Sequence, residues 1–136
     1  MQKLIRVALL STLLLALNAC GNAPYTNIDN DELQGLLEKG IPLYDVRRPD
    51  EWRQTGVIKG SKLLTFVDGR GQLSPAFLPS FTKAVGKDEP VILICRTGNR
   101  TSALAKHLAE QLGYSKIYNV QNGIVRWISE KRPVAR

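Results

Sequence analysis

The sequence is poor in the residues from which metal and redox sites are built. It has two cysteines and one histidine in 136 residues. The two cysteines, Cys20 and Cys95, lie far apart, which excludes a C-x-x-C dithiol couple and a zinc knuckle. The histidine, His107, falls within a helical pattern and is interpreted as a solvated or packed side chain. The sequence therefore predicts neither a metal site nor a cofactor.

Long apolar runs are also scarce. The apolar run Val7–Leu17 has 11 residues, short of the roughly 20 that an apolar helix needs to cross a bilayer. Two basic residues precede it, as is typical of a secretory signal peptide. The following Leu17-Asn18-Ala19-Cys20 resembles the bacterial lipobox, which implies cleavage before Cys20 and acylation of that residue. An ordinary signal peptide cut near Ala19 is the alternative.

This reading divides the chain into four parts. Residues 1–19 are interpreted as the signal peptide, 20–24 as a lipidated tether, 25–131 as one compact domain and 132–136 as a C-terminal tail. Such a protein would reside in the bacterial cell envelope, attached to a membrane by its lipid and facing the periplasm.

The distribution of charge argues against a nucleic-acid-binding protein. The net charge is +7, but the basic residues are scattered and the aromatic residues are not interleaved with them. A moderate positive charge suits small anionic substrates or acidic lipid headgroups. We expect a monomer that binds small molecules and no nucleic acid.

Apolar periodicity and turn residues predict ten alternating elements. The predicted strands cover residues 25–28, 41–46, 61–66, 91–94 and 116–120, and the predicted helices cover 30–40, 49–56, 74–85, 100–113 and 123–131. This alternation predicts an α/β fold of three layers, in which helices cover both faces of a mostly parallel five-stranded sheet. Ligands of such folds bind beyond the carboxyl ends of the strands, where Asp45 and Cys95 fall.

Cys95 lies where an unbroken apolar strand meets a helix. The intervening turn contains Gly98 and is flanked by Arg96 and Arg100. The first backbone N–H groups of a helix lack intrahelical partners, and together with the two cations they favour a thiolate. A small apolar cysteine at a buried strand end is the alternative. If Cys20 is lipidated, Cys95 is the only thiol left, and its chemistry is limited to carrying an acyl, phosphoryl or sulfane group.

The combined motifs resemble the single-domain rhodaneses, a family of sulfurtransferases. The resemblance rests on Asp45-Val46-Arg47, on Gly56–Gly60, on Cys95-Arg96-Thr97-Gly98-Asn99-Arg100-Thr101, and on Gly123 with Trp127. It implies a rhodanese-like fold over nearly the whole mature chain. It also implies that Cys95 attacks thiosulfate or a similar anionic donor, holds the sulfur as a persulfide, and passes it to cyanide or a thiol.

The resemblance also assigns roles to the residues around Cys95. The substrate-binding residues would be Arg96, Thr97, Gly98, Asn99, Arg100 and Thr101, with their backbone N–H groups around the persulfide and Arg96 or Arg100 on the oxygen end of the donor. Arg100 could instead turn to solvent. Asp45 and Arg47 are interpreted as supporting residues, with Asp45 bound to backbone N–H groups and Arg47 paired with Glu51.

Three other functions stay open on the sequence. A persulfide carrier would use the same loop and deliver its sulfur to a partner protein. A cysteine phosphatase is disfavoured, because such enzymes need five residues between cysteine and arginine, and four separate Cys95 from Arg100. A catalytically silent binding module is disfavoured because the cysteine and its whole loop are present.

Overall fold

The computed structural model describes residues 23–136. The predicted signal peptide, Cys20 and most of the predicted tether lie outside these residues. Within the described part of the chain, no helix combines the length and the apolar character that crossing a bilayer requires.

Five strands and five helices alternate along the domain. The strands are β1 (Thr26–Ile28), β2 (Leu43–Asp45), β3 (Lys62–Leu63), β4 (Val91–Ile94) and β5 (Ile117–Val120). The helices are α1 (Asn30–Glu38), α2 (Pro49–Thr55), α3 (Phe77–Ala84), α4 (Asn99–Leu112) and α5 (Gly123–Ser129). The sheet has the order β1-β5-β4-β2-β3, and every strand pair in it is parallel. The α/β prediction is confirmed.

The central strand β4 separates two apolar cores. All four of its residues are fully buried, as expected for a parallel strand that is covered on both faces. Val91 and Leu93 pack with residues of α3 and α4 in one core. Ile92 and Ile94 pack with residues of α1 and α5 in the other. Cys95, directly after β4, belongs to the core on the α3 and α4 side.

The helix predicted from residue 74 begins later, at Phe77. Ser74 belongs to the preceding hairpin and turn, because its N–H donates to the carbonyl of Phe66 and its carbonyl accepts from the N–H of Phe77. The chain before it continues along β2, where the Phe66 N–H donates to the Val46 carbonyl. A hairpin closed by a bridge between Val67 and Leu73 follows. Pairing with the sheet therefore overrides the helix-start signal of the sequence.

The segment 132–136, set apart above as a tail, packs on the domain. Ala135 exchanges two backbone hydrogen bonds with Val57, of 2.9 and 2.7 Å. The indole N–H of Trp127 donates to the Pro133 carbonyl at 2.8 Å, and the guanidinium of Arg132 lies 5.3 Å from the Trp127 ring centroid. The tail thereby covers the apolar surface near Ile58 and Trp127.

Gly56 offers a test of how tightly this segment packs. Gly56 has φ +80°, and a Cβ there would lie 2.7 Å from the carbonyl oxygen of Ala135. We expect Gly56→Ala to lower the free energy of unfolding by more than the ~1–3 kcal/mol of backbone strain at this φ and ψ. The part of this loss that exceeds the backbone strain should disappear in a chain that ends at Arg132. A double-mutant cycle followed by urea unfolding measures it.

The matched control is Gly60→Ala. Gly60 also has a positive φ, of +86°, but a Cβ there meets no atom within 4 Å. Its cost should be the same in the full and the shortened chain. If shortening the chain changed the cost of Gly56→Ala no more than the cost of Gly60→Ala, the segment 132–136 would not pack tightly against Gly56.

Candidate functional site

The thiol of Cys95 lies at the carboxyl edge of the sheet, between β4 and α4. Cys95 is a free cysteine and only 1% of its surface is exposed. Its Sγ accepts a hydrogen bond of 3.2 Å from the N–H of Gly98. The Sγ also lies 3.3 Å from the hydroxyl oxygen of Thr101, a fully buried residue. The sulfur is thus held between a backbone amide and a hydroxyl group.

Two glycines allow the loop to pack directly on neighbouring backbone. Gly98 has φ +94°, and a Cβ there would lie 2.0 Å from the carbonyl oxygen of Gln121. Gly123 has φ +62°, and a Cβ there would lie 2.2 Å from the carbonyl oxygen of Arg96. No side chain fits at either position, so both must be glycine.

The first turn of α5 holds the carbonyl groups of the loop. The N–H of Ile124 donates to the Cys95 carbonyl at 2.9 Å, and the N–H of Val125 donates to the Arg96 carbonyl at 3.2 Å. These bonds fix the orientation of the first peptide groups of the loop. Because an N–H and a C=O of one trans peptide point in opposite directions, they also turn the next N–H groups away from α5.

The amide groups around the sulfur are available to an anion. Within residues 23–136, no acceptor binds the N–H groups of Arg96, Thr97, Asn99, Arg100 and Thr101. The last three belong to the first turn of α4, a helix of 14 residues, where the macrodipole places partial positive charge. The loop can therefore stabilise negative charge with its backbone dipoles. None of the described residues form a cluster suited to a metal.

Arg100 pairs with Glu51, a partner that was not considered for it in the sequence. Its guanidinium forms two hydrogen bonds with the carboxylate of Glu51, of 2.6 and 2.7 Å. Glu51 also accepts a 3.0 Å bond from the N–H of Arg48, at the start of α2. Burial raises the pKa of Glu51, but the bonds from Arg100 and Arg48 outweigh it and hold the pKa at about 2. The carboxylate stays charged and ties α2 to the start of α4.

The predicted pairing of Arg47 with Glu51 is wrong. Arg47 is 1% exposed and pairs with the fully buried Asp45, with Nη2 and Oδ2 2.7 Å apart. Its second amino group donates to the hydroxyl of Thr55. The prediction that Asp45 accepts a backbone N–H is confirmed by a 3.2 Å bond from Arg47 itself. An arginine two residues beyond the strand end can reach back to Asp45 more directly than forward to the Glu51 carboxylate.

The other loop residues divide into two groups. Gly98 and Thr101 are buried next to the sulfur, whereas Arg96, Thr97 and Asn99 are exposed. Arg96 lines a cavity between α2 and α5 rather than the core that contains Cys95. The structure thus brings Cys95, Gly98 and Thr101 together and directs the side chain of Arg96 elsewhere.

Sequence reasoning missed the role of Glu51 as the partner of Arg100. The two residues are 49 positions apart, and no local pattern links them. A signal was present in Glu51, three residues after Arg48 and two after Pro49, because a carboxylate at that position of a helix can fold back and accept from the N–H before the first turn. It does not predict which cation that carboxylate meets.

An all-parallel α/β sheet with a single cysteine in an amide-lined loop at its carboxyl edge defines a recognisable class of domain. A model of the rhodanese-like domain matches residues 29–130. The chain belongs to the rhodanese-like domain family.

Relatives and solved structures agree with this assignment. The chain is 28% identical over 104 residues to a thiosulfate sulfurtransferase GlpE of Tolumonas auensis, covering 76% of this chain and 88% of that protein. It is 28% identical to a sulfurtransferase of Allochromatium vinosum, covering 79% and 92%. A rhodanese-related protein of Thermoplasma volcanium superposes with a TM-score of 0.61 at 31% identity, covering 82% and 98%. These relatives support sulfurtransferase activity at the level of the family.

The Glu51–Arg100 pair predicts how stability depends on pH. The pKa of Glu51 is lowered from 4.5 to about 2, so its contribution is complete above pH 4.5 and is lost as the pH falls toward 2. We expect Glu51→Gln to lower the free energy of unfolding at pH 7 by roughly 2–3 kcal/mol. The variant should also lose less stability than wild type between pH 4.5 and 2.5, as measured by urea unfolding.

Asp50→Asn provides the control, because Asp50 is an exposed neighbour that forms a salt bridge with Arg48. Surface pairs of this kind contribute little, so this variant should stay close to wild type at pH 7. Equal pH dependence of wild type and Glu51→Gln would contradict the assigned role of Glu51.

Proposed function

We propose that this domain is a sulfurtransferase that moves a sulfane sulfur from thiosulfate or a similar small anionic donor to cyanide or a thiol. The observation that carries the proposal is the placement of the Cys95 Sγ, 3.2 Å from the amide nitrogen of Gly98, in a loop whose other backbone N–H groups have no acceptor among the described residues. A persulfide places a second, negatively charged sulfur beyond Sγ, and such a site is suited to stabilising it.

The reaction proceeds in two displacements. The Cys95 thiolate attacks the outer sulfur of the donor, the S–S bond of thiosulfate breaks, and its electron pair leaves on sulfite. The acceptor then attacks the outer sulfur of the Cys95 persulfide, and the electron pair of that S–S bond returns to Sγ. No oxidant or reductant is needed, which is consistent with the single thiol of the described domain.

Thr101 allows the site to hold sulfur in either charge state. Its hydroxyl oxygen lies 3.3 Å from Sγ and 3.2 Å from the carbonyl oxygen of Gly98. When the sulfur is a thiol, the S–H can donate to this oxygen while the hydroxyl donates to Gly98. When the sulfur is a thiolate, the hydroxyl can rotate and donate to it. The hydrogen bonds around the sulfur can therefore adjust to either state by rotation of one O–H bond.

The pairing of Arg100 weighs against phosphate chemistry. A cysteine phosphatase uses the arginine at the end of its loop to hold the phosphoryl oxygens, but here that guanidinium is occupied by Glu51. The persulfide-carrier hypothesis shares both displacements and differs only in its acceptor, a partner protein.

The first prediction of this proposal concerns labile sulfur. After incubation with thiosulfate and removal of the donor, we expect cyanide to release about one sulfur per chain from wild type and none from Cys95→Ser, because Cys95 is the one thiol among residues 23–136. Thiocyanate is the measured product, and circular dichroism checks that the serine variant is folded. A wild type without labile sulfur that hydrolyses an aryl phosphate would refute the proposal.

We also propose that Cys20 is acylated and that the domain is held in the bacterial cell envelope, facing the periplasm. The support is the lipobox-like Leu17-Asn18-Ala19-Cys20, which leaves only residues 20–24 between the lipid and the domain. Two or three acyl chains would hold the protein stably, whereas a single chain binds a membrane only marginally.

This anchor predicts a change in fractionation. Wild type should sediment with membranes and require detergent for release, whereas Cys20→Ser should lose the lipid mass at the mature amino terminus and leave the membrane fraction. Mass spectrometry of the N-terminal peptide is the deciding measurement. An unmodified N-terminus in wild type would refute the anchor without affecting the sulfur chemistry.

A further inference from the structure

The predicted tether enters the domain at the amino edge of the sheet, opposite the edge that contains Cys95. Every strand pair is parallel, so the amino ends of the five strands share one edge. Residues 23–25 lead to Thr26, the first residue of β1, which lies beside Tyr118 of the neighbouring strand β5. An anchor on Cys20 would therefore be attached to the amino edge.

The tether is short compared with the domain. Six residue steps join Cys20 to Thr26, and they span at most about 20 Å when fully extended. The helix α4 starts close to Cys95 and runs back to the amino edge. It has 14 residues and is therefore roughly 21 Å long. A fully extended tether would only equal this length, so the Cys95 loop cannot be turned to face a membrane that holds the anchor.

Lysines mark the same amino edge. Each connection from a helix to the next strand contains one exposed lysine, and these are Lys39 before β2, Lys59 before β3, Lys87 before β4 and Lys116 before β5. Among residues 23–136, the connections from each strand to the following helix, at the carboxyl edge, contain no lysine. The two edges of the sheet thus carry different cations, with lysines at one and arginines around the Cys95 loop at the other.

The lysines of the amino edge are available to an external anion. Every salt bridge within residues 23–136 is formed by an arginine. The other charged residues in these connections, in the last helical turns and at the start of β3 are Lys62, Lys83, Glu38, Asp88, Glu89 and Glu110. Lysines therefore exceed acidic residues at this edge, and no carboxylate of the described chain binds them.

We propose that the amino edge of the sheet is the surface through which this domain contacts the membrane, and that its lysines bind the phosphate groups of anionic phospholipids. The inference rests on the proposed acylation of Cys20. A lysine ammonium is a compact charge on a flexible stem and binds phosphate as a point charge. In this orientation the Cys95 loop is turned away from the lipid, so the sulfur donor and acceptor reach it from the aqueous side.

The test compares the reactivity of lysines at two tether lengths. Full-length protein is isolated with its anchor and incorporated into vesicles of phosphatidylglycerol and phosphatidylcholine. A matched variant carries about 20 glycine and serine residues inserted between Asn22 and Ala23, which lengthens the mean reach by roughly 25 Å. A membrane-impermeant reagent acetylates exposed lysines, and peptide mass spectrometry gives the rate at each one. We expect Lys39, Lys87 and Lys116 to react about fivefold more slowly with the natural tether.

Lys131 is the internal reference. It is exposed, and the adjacent Arg132 pairs with Asp31 in the first turn of α1, on the carboxyl side of the domain. Its rate should be the same with both tethers. Equal rates at Lys87 and Lys116 with the two tethers, or a slowing that includes Lys131, would overturn the inference while leaving the anchor intact.

Two double variants test the charge of the lysines. Lys87→Gln combined with Lys116→Gln should remove most of the slowing at Lys39, because each lysine near an anionic bilayer adds to the attraction. Arg53→Gln combined with Arg70→Gln is the control and should leave that slowing unchanged. Arg53 of α2 and Arg70 of the connection before α3 are exposed and form no salt bridge in the described chain.

The remaining outcomes separate the inference from the proposals on which it builds. Equal slowing at Lys39 in the two double variants would overturn the binding of lipid phosphates by the lysines. A wild type that does not float with the vesicles would refute the anchor and, with it, the membrane contact. Neither result would affect sulfur transfer by Cys95, which the labile-sulfur measurement tests separately.

Discussion

The site depends on backbone packed against backbone where the Cys95 loop meets the start of α5. Side chains are excluded at both contact points, because a Cβ on Gly98 or on Gly123 would lie within about 2 Å of a carbonyl oxygen. This contact lets two amides of α5 bind the carbonyls of Cys95 and Arg96. With its carbonyls engaged there, the loop presents N–H groups on its other side, where the sulfur lies. The polarity of the site is thus a consequence of packing.

Ion pairs hold the same loop from the side of α2. The Glu51 carboxylate connects the first turn of α2 with the first turn of α4 through Arg100. The buried pair of Asp45 and Arg47 fixes the chain between β2 and α2, and Trp52 donates to the same Asp45 carboxylate. Breaking either pair would leave an uncompensated charge in a poorly hydrated region, which is costly. The charges around the loop are structural, and the sulfur itself is held by neutral dipoles.

The sequence predicts those features of the structure that depend on a few neighbouring residues, and it fails for those that depend on distant contacts. The apolar run of β4, the glycine of the loop and the alternation of elements act over a few residues, so the fold and the position of Cys95 could be predicted. The partner of Arg100 lies 49 positions away and is set by how α2 packs on the sheet. The late start of α3 also results from a tertiary contact, because the N–H of Ser74 donates to the Phe66 carbonyl across a hairpin. Local signals failed where tertiary hydrogen bonds competed for the same groups.

Neutral donors suit a sulfur that changes its charge during a reaction cycle. An arginine aimed at Sγ would favour the anion strongly and would be left unpaired whenever the sulfur is protonated. Amide groups and the Thr101 hydroxyl impose a smaller penalty, since the hydroxyl can bind either Sγ or the Gly98 carbonyl. The formal charge of Arg100 is neutralised by Glu51, and that of Arg96 lines the neighbouring cavity. The loop therefore stabilises the sulfur with dipoles, while the charge of Arg100 holds the start of α4 against α2.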